Sequence, residues 1–164
     1  INLSVLSLRV PGLAKEILAL LGKYDIPAQL MEVEVTESVD LEGSSEAMAE
    51  ILQLRAAGVS IALDDFGTGH SSLSYLQQLP LDIVKIDQSF VRRIQPAEGP
   101  GNSILRAIIA LAKALHLEII AEGVETEEQH NWLAAEGCDI AQGYLHGKPV
   151  DRLEFEQRYL RQSA

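Results

Sequence analysis

The chain has 164 residues, enough for one compact core, and it carries a formal net charge of −11 with a pI of about 4.7. Its hydrophobic content of 47% is typical of a globular domain and excludes a disordered chain. The acidic balance argues against a DNA or RNA groove, which needs clustered basic side chains, but it allows a nucleotide that is recruited through a bound divalent cation.

The chain has one cysteine, Cys138, so an internal disulfide is excluded and a reducing compartment is favoured. No apolar run approaches the roughly 18 residues that a membrane-spanning helix needs, and the first residues lack the features of a signal peptide. These features predict a cytoplasmic domain, in which any membrane tether would lie in a segment upstream.

Strand-like and helix-like segments alternate along the chain. Ile1 and Asn2 are predicted to end a strand, and a strand at 30–37 is predicted because Val33 and Val35 alternate with polar residues. The other predicted elements are helices at 11–26, 44–58, 71–79, 101–116, 126–137 and 151–162, and strands at 59–65, 82–90, 117–125 and 139–145.

Five strands, each followed by a helix, predict a parallel sheet in a single α/β domain over residues 1–164. The strands are apolar enough to be covered on both faces. Two architectures fit this pattern, an open doubly wound sheet and a (β/α) barrel. Both place their chemistry at the carboxyl ends of the strands.

Polar side chains recur at the carboxyl end of every predicted strand. Helix capping explains any one of them, but six strand ends in register predict a shared functional edge. The residues are Asn2; Glu34, Thr36 and Glu37; Asp64 and Asp65; Lys85 and Asp87; Glu122 and Glu125; and Gln142.

This set of side chains favours metal-assisted chemistry. Mg²⁺ prefers carboxylate oxygens, and the adjacent Asp64 and Asp65 suit two cations roughly 3.5–4 Å apart, as in phosphoryl transfer. Lys85 would order a water or stabilise charge on a phosphoryl oxygen. The histidines share no ligand spacing, which argues against zinc.

The loop that follows Asp65 contains Phe66, Gly67 and Gly69. Its glycines permit positive φ and a close approach of the backbone to a ligand. The spacing alone leaves two interpretations open, a mobile loop over the metal site and a tight strand-to-helix turn.

The motifs, taken in chain order, resemble those of EAL domains, bacterial phosphodiesterases of the second messenger cyclic di-GMP. The resemblance covers essentially the whole chain. It rests on NLS from Asn2, EVTES from Glu34, DDFGTGHSSLSYLQQLPLDIVKIDQSFV from Asp64, AEGVETEEQ from Ala121 and QGYLHGKP from Gln142.

The resemblance implies a TIM-like (β/α)₈ barrel that binds two Mg²⁺ or Mn²⁺ ions and opens cyclic di-GMP to linear pGpG. It implies metal-site roles for Asn2, Glu34, Asp64 and Asp65. It implies catalytic roles for Lys85, which contacts a metal-bound water, for Glu122, the general base, and for Glu125, a nearby acid.

The same resemblance assigns Gln142 to the ordering of this network and Glu37 to anchoring the loop of Phe66, Gly67 and Gly69, close to a homodimer contact. It also implies an upstream sensor or GGDEF module. At His70 the family more usually has tyrosine, a small departure.

The E-A-L triplet that names the family is absent from the chain, and with it a further metal ligand. The expected fold is therefore a barrel that here lacks its first strands. Three functions are compatible with the residues: a hydrolase, an EAL-like receptor that binds cyclic di-GMP without cutting it, and an inactive fragment.

Overall fold

The computed structural model of the protein describes residues 1–36, 44–68, 76, 78–95 and 100–160. The predicted roles of Glu37 and Gly69, the position of His70 and most of the predicted helix at 71–79 lie outside these residues.

Within the described residues, five parallel strands form one sheet in which each strand lies beside the next one in the sequence. Asn2 adds one parallel bridge to Glu34, which agrees with the predicted strand end at the start of the chain. A doubly wound sheet reverses its strand order at a switch point, whereas this sequential order is that of a barrel wall. The strands are β1 Glu32–Thr36, β2 Ser60–Phe66, β3 Ile83–Ile86, β4 Glu118–Ala121 and β5 Ile140–Ala141.

The helices connect successive strands and cover one face of the sheet. They are α1 Val5–Leu8, α2 Leu13–Lys23, α3 Ser45–Ala56, α4 Gln88–Val91, α5 Pro100–Ala114, α6 Glu127–Glu136 and α7 Arg152–Phe155, with a 3₁₀ turn at Ala28–Leu30 and a π-helical turn at Glu156–Leu160. Among the described residues, none of these helices has both the length and the apolar character needed to cross a membrane.

One predicted strand is partly wrong. The segment predicted as a strand at 82–90 leaves the sheet after Ile86 and becomes helix α4. Asp87 causes this change because its carboxylate accepts a hydrogen bond from the backbone N–H of Ser89, 3.0 Å away, and so caps the helix. The strands predicted at 117–125 and 139–145 are likewise shorter, with four and two residues in the sheet.

The strands alternate between a helix-covered face and an inner face. Leu63, Val84 and Ile119 belong to the main core with the helices, and each is at most 1% exposed. The inner face begins with a separate small cluster at the amino ends of the strands, formed by Ala62, Ile83 and Ile120. Residues two positions further along each strand continue this face toward the carboxyl ends, and there they are polar. They are Asp64, Lys85 and Glu122.

Candidate active site

The doubled aspartate lies at a β-bulge. The register between β2 and β3 shifts between Leu63 and Phe66, and Asp65 adopts a left-handed conformation with φ of 56°. The extra residue keeps Asp64 on the inner face and returns Phe66 to the core, where it is 7% exposed. Asp65 is exposed beside it, and its backbone N–H donates to Oδ1 of Asp64 at 3.0 Å.

Gly67 continues this bulge with φ of 96°. A Cβ at this position would lie 2.8 Å from the ring of Phe90, so only glycine fits the packing. This close contact supports the tight-turn interpretation for the start of the loop.

Lys85 lies at the centre of the inner polar face. Its Nζ is 2.8 Å from Oε1 of Glu34, 2.7 Å from Oε1 of Glu122 and 3.4 Å from Oδ1 of Asp64. The lysine side chain is only 6% exposed. Three strand ends therefore direct carboxylates at one buried ammonium group, as the predicted functional edge requires.

The charges in this cluster stabilise one another. Burial alone would lower the pKa of Lys85, but hydrogen bonds to Glu122 and Glu34 outweigh it and raise the pKa well above its ordinary value. Burial alone would raise the pKa of Glu34, but the hydrogen bond and charge of Lys85 lower it. At neutral pH Lys85 is therefore a cationic donor, and a carboxylate is the group able to accept a proton.

Asn2 is held next to Glu34 at the edge of β1. The backbone N–H of Leu3 donates to the carbonyl of Glu34 at 2.9 Å, and Asn2 forms a parallel bridge with Glu34. The nearby Asn2 side chain contributes to the lowered pKa of the Glu34 carboxylate. Glu32, which the sequence analysis did not select, lies on the same face, and burial together with the charge of Glu34 raises its pKa. The alternation of β1 was the available signal for this residue.

A cavity of about 240 Å³ opens beside Glu122 and brings it together with Glu125 and Gln142, as predicted. Five of its lining residues were not selected from the sequence. Arg92 follows a helix whose first three residues lie in the segment predicted as a strand at 82–90, and the cap at Asp87 was the available signal. The five residues are Gln88, Arg92, Gly123, Gly143 and Tyr144.

The donor set fits a hard divalent cation. Asn2, Glu34 and Asp64 offer amide and carboxylate oxygens on adjoining strand ends, which are the ligands that Mg²⁺ and Mn²⁺ prefer. As they stand, the described side chains form no group of three or more His, Cys, Asp or Glu that encloses a metal ion, and the Lys85 ammonium lies between the carboxylates.

Comparison with known proteins identifies the family. A family model described as EAL domain matches residues 1–149. Signaling protein YkoW of Bacillus subtilis is 41% identical over 164 residues, all of this chain and 20% of that protein. Cyclic di-GMP phosphodiesterase NbdA of Pseudomonas aeruginosa is 40% identical over 157 residues, 96% of this chain and 20% of that protein. The chain thus spans about one fifth of the length of these relatives.

Solved structures share the fold. The complex of the PaMucR phosphodiesterase with c-di-GMP matches with a TM-score of 0.84 and 38% identity, over 94% of this chain and 62% of that chain. A manganese and cy-diGMP complex of Klebsiella pneumoniae BlrP1 matches with a TM-score of 0.79 and 32% identity, over 88% of this chain and 37% of that chain. The five-stranded sheet is part of a TIM-like barrel, and this protein chain belongs to the EAL domain family.

Proposed function

We propose that this chain forms the catalytic edge of a metal-dependent phosphodiesterase that hydrolyses cyclic di-GMP to linear pGpG. The observation that carries the proposal is the convergence of Glu34, Asp64 and Glu122 on the buried ammonium of Lys85. The similarity to the phosphodiesterases NbdA and PaMucR supports this substrate class.

In this proposal Asn2, Glu34, Asp64 and Asp65 would hold two Mg²⁺ or Mn²⁺ ions. When bound, they supply Lewis-acid stabilisation of the negative charge on the phosphoryl oxygens. The manganese in the matching BlrP1 complex supports a divalent ion, and the oxygen-rich donor set supports it independently.

The residues of the chain then move the proton. Glu122 accepts a proton from the attacking water as the bond from water oxygen to phosphorus forms. The phosphorus–oxygen bond to ribose breaks, and the ribose oxygen leaves with the electron pair and takes a proton from solvent water. Lys85 stays cationic and holds Glu122 in place at 2.7 Å. Glu125 and Gln142 line the cavity beside Glu122 and orient the substrate and the water.

The proposal extends to the loop and to partners. The loop of Phe66, Gly67 and Gly69, anchored by Glu37, would couple the site to a homodimer contact. The curated relatives are about five times as long as the chain, which supports further modules such as a sensor or a GGDEF domain in the parent protein. We place the reaction in the cytoplasm, where a free cysteine such as Cys138 stays reduced.

The test is a turnover assay on the protein that carries this chain, with pGpG quantified by chromatography. We expect turnover with Mg²⁺ or Mn²⁺, its loss on chelation, and a loss of about 100-fold or more in Glu34→Ala and in Glu122→Gln. Glu118→Gln is the matched control, because Glu118 is an exposed carboxylate at the opposite end of the same strand as Glu122. Full turnover in Glu122→Gln would refute its assigned role, and tight binding without turnover in the unaltered protein would identify a receptor.

A further inference from the structure

The loop from Glu122 to Thr126, together with Gln129 of α6, contacts helix α4 and the residue that follows it at three points. A Cβ at Gly123 would lie 2.5 Å from Cβ of Gln88, so the two backbones pack as closely as glycine allows. Arg92 pairs with Glu125 at 3.6 Å. The Nε2 of Gln129 donates to the carbonyl of Val91 at 3.4 Å.

Gln129 joins three elements through one side chain. Its Oε1 accepts from the backbone N–H groups of Glu125 at 2.8 Å and Thr126 at 3.1 Å. Its own backbone N–H donates to Oγ1 of Thr126 at 3.2 Å, which completes a capping box at the start of α6. With the bond to Val91, this side chain ties the loop and α6 to α4.

These contacts lie beyond the last hydrogen bond between β3 and β4. On its other side the loop is held to the segment after β5, because the N–H of Val124 donates to the carbonyl of Gln142 and the N–H of Leu145 donates to the carbonyl of Val124, each at 3.0 Å. The last hydrogen bond between the ends of β3 and β4 runs from the N–H of Glu122 to the carbonyl of Ile86 at 3.1 Å. Beyond it, the chain after Lys85 continues into α4 and the chain after Glu122 enters the loop. The contacts between α4 and the loop therefore maintain the relative position of the two strand ends.

We propose that Gln129 is a positioning residue that holds the loop of Glu122 and Glu125 against α4. This role deepens the proposed function, because its effect on turnover rests on Glu122 acting in the reaction. Gln129 is not among the residues that line the cavity beside Glu122. A change at Gln129 is therefore expected to act through the position of Glu122 and to lower kcat more than it changes KM.

The chemistry of the capping box allows the two tasks of Gln129 to be separated. The box needs only an acceptor at this position, and glutamate satisfies it as well as glutamine. Only the amide carries the Nε2 donor that reaches Val91. Gln129→Glu thus retains the helix cap and removes the link to α4. Thr126→Ala has the opposite effect. It weakens the helix cap, but it retains the link to Val91 and both backbone N–H groups that donate hydrogen bonds to Oε1 of Gln129.

The experiment compares these two variants by steady-state kinetics and by amide hydrogen exchange. In Gln129→Glu we expect kcat to fall about tenfold with KM within about twofold, and exchange at residues 88–92 to become about tenfold faster. In Thr126→Ala we expect a lower melting temperature, with kcat of the folded protein and exchange at residues 88–92 unchanged.

Unchanged amide exchange at residues 88–92 in Gln129→Glu would overturn the proposal, whatever happens to kcat. It would show that the hydrogen bond from Gln129 to Val91 does not stabilise α4. Equal kcat losses in the two variants would overturn it as well, since the effect would follow the helix cap. If the unaltered protein does not hydrolyse cyclic di-GMP, the proposed function fails, and the exchange measurement still decides whether Gln129 joins the loop to α4.

Discussion

At the scale of single residues, Lys85 combines a buried position with an excess of negative partners. Three carboxylates within 3.4 Å of one ammonium leave a local surplus of negative charge. Such a surplus disfavours a neutral lysine, which explains the raised pKa of Lys85. It also favours the binding of a metal cation at the carboxyl ends of the strands.

The lowered pKa of Glu34 predicts how the unfolding free energy of the metal-free protein depends on pH. A lowered folded-state pKa adds stability above the usual value of 4.5, and this stability is lost as the pH falls. In Lys85→Met, burial remains and the cation is gone, so the pKa of Glu34 should rise. The slope of the unfolding free energy between about pH 3 and pH 6, measured by urea titration with a chelator present, should then decrease.

Lys15→Met is the matched control, because Lys15 is exposed on α2 and its loss should leave that slope intact. An unchanged slope in Lys85→Met would contradict the assigned ion pairs. Lys85 itself contributes stability below the ordinary lysine value of 10.5, and that contribution disappears as the pH rises through its raised folded-state pKa.

The close packing of Gly143 against the backbone of Val124 leads to a second prediction at the residue scale. A Cβ there would overlap the backbone nitrogen and carbonyl oxygen of Val124, and backbone atoms cannot move aside as a flexible side chain does. Gly143→Ala should destabilise the protein by about 1–3 kcal/mol in denaturant unfolding and displace the segment next to Glu122. Gly147→Ala is the control, since its nearest neighbour would be the hydroxyl of Tyr159 at 3.7 Å. Equal stability of the two variants would contradict this packing.

At the scale of elements, helix α2 depends on a distant residue for its cap. The residue before it is Gly12, which has no side chain to accept a hydrogen bond. Glu50 of α3 replaces the missing cap, because its two carboxylate oxygens accept from the N–H groups of Gly12 and Ala14, each at 2.7 Å. A buried carboxylate at a helix N-terminus also complements the helix dipole.

Glu50→Ala should therefore lower the free energy of unfolding by about 1–3 kcal/mol, since it leaves two N–H groups without their acceptor. Urea unfolding followed by circular dichroism measures the change. Glu16→Ala removes an exposed carboxylate from the first turn of the same helix and should cost well under half as much. Comparable losses in the two variants would show that Glu50 acts only through its charge.

At the scale of the whole molecule, the two ends of the sheet carry different kinds of acid. At the amino ends, Asp82 accepts from the N–H of Ile61 at 3.1 Å and Asp139 accepts from the N–H of Ile119 at 2.9 Å. Each aspartate thus fastens the start of its own strand to a neighbouring strand. At the carboxyl ends, the carboxylates surround Lys85 instead. This division places strand anchors at one end of the barrel wall and the proposed chemistry at the other.

The division predicts opposite effects for two acidic variants. Asp82→Ala should lower the unfolding free energy by about 1–3 kcal/mol and leave the turnover of the folded protein unchanged, because it removes a strand anchor far from Lys85. Glu122→Gln should retain most of the stability and lose turnover. Thermal unfolding and pGpG formation, measured on the same samples, test both. A loss of turnover in folded Asp82→Ala would contradict the separation of the two ends.

The sequence alone determined the order of strands and helices and the chemical type of the functional edge. Side-chain periodicity is a local property, and parallel strands bring their carboxyl ends to one edge whatever their exact contacts. For this reason the sequence predicts that Glu34, Asp64, Lys85 and Glu122 lie at one edge, and the structure confirms their proximity.

Only the tertiary structure decided which partners each side chain meets. The bulge at Asp65, the contacts of Arg92 and Gln129, and the cap that Glu50 provides all join residues from different elements. Such contacts depend on how the elements pack, and no periodicity within one segment encodes them. The helix at Gln88–Val91 is a different case, because its cap is local: Asp87 ends a strand that the sequence analysis extended to Phe90, and the polar residues after Ile86 were the available signal.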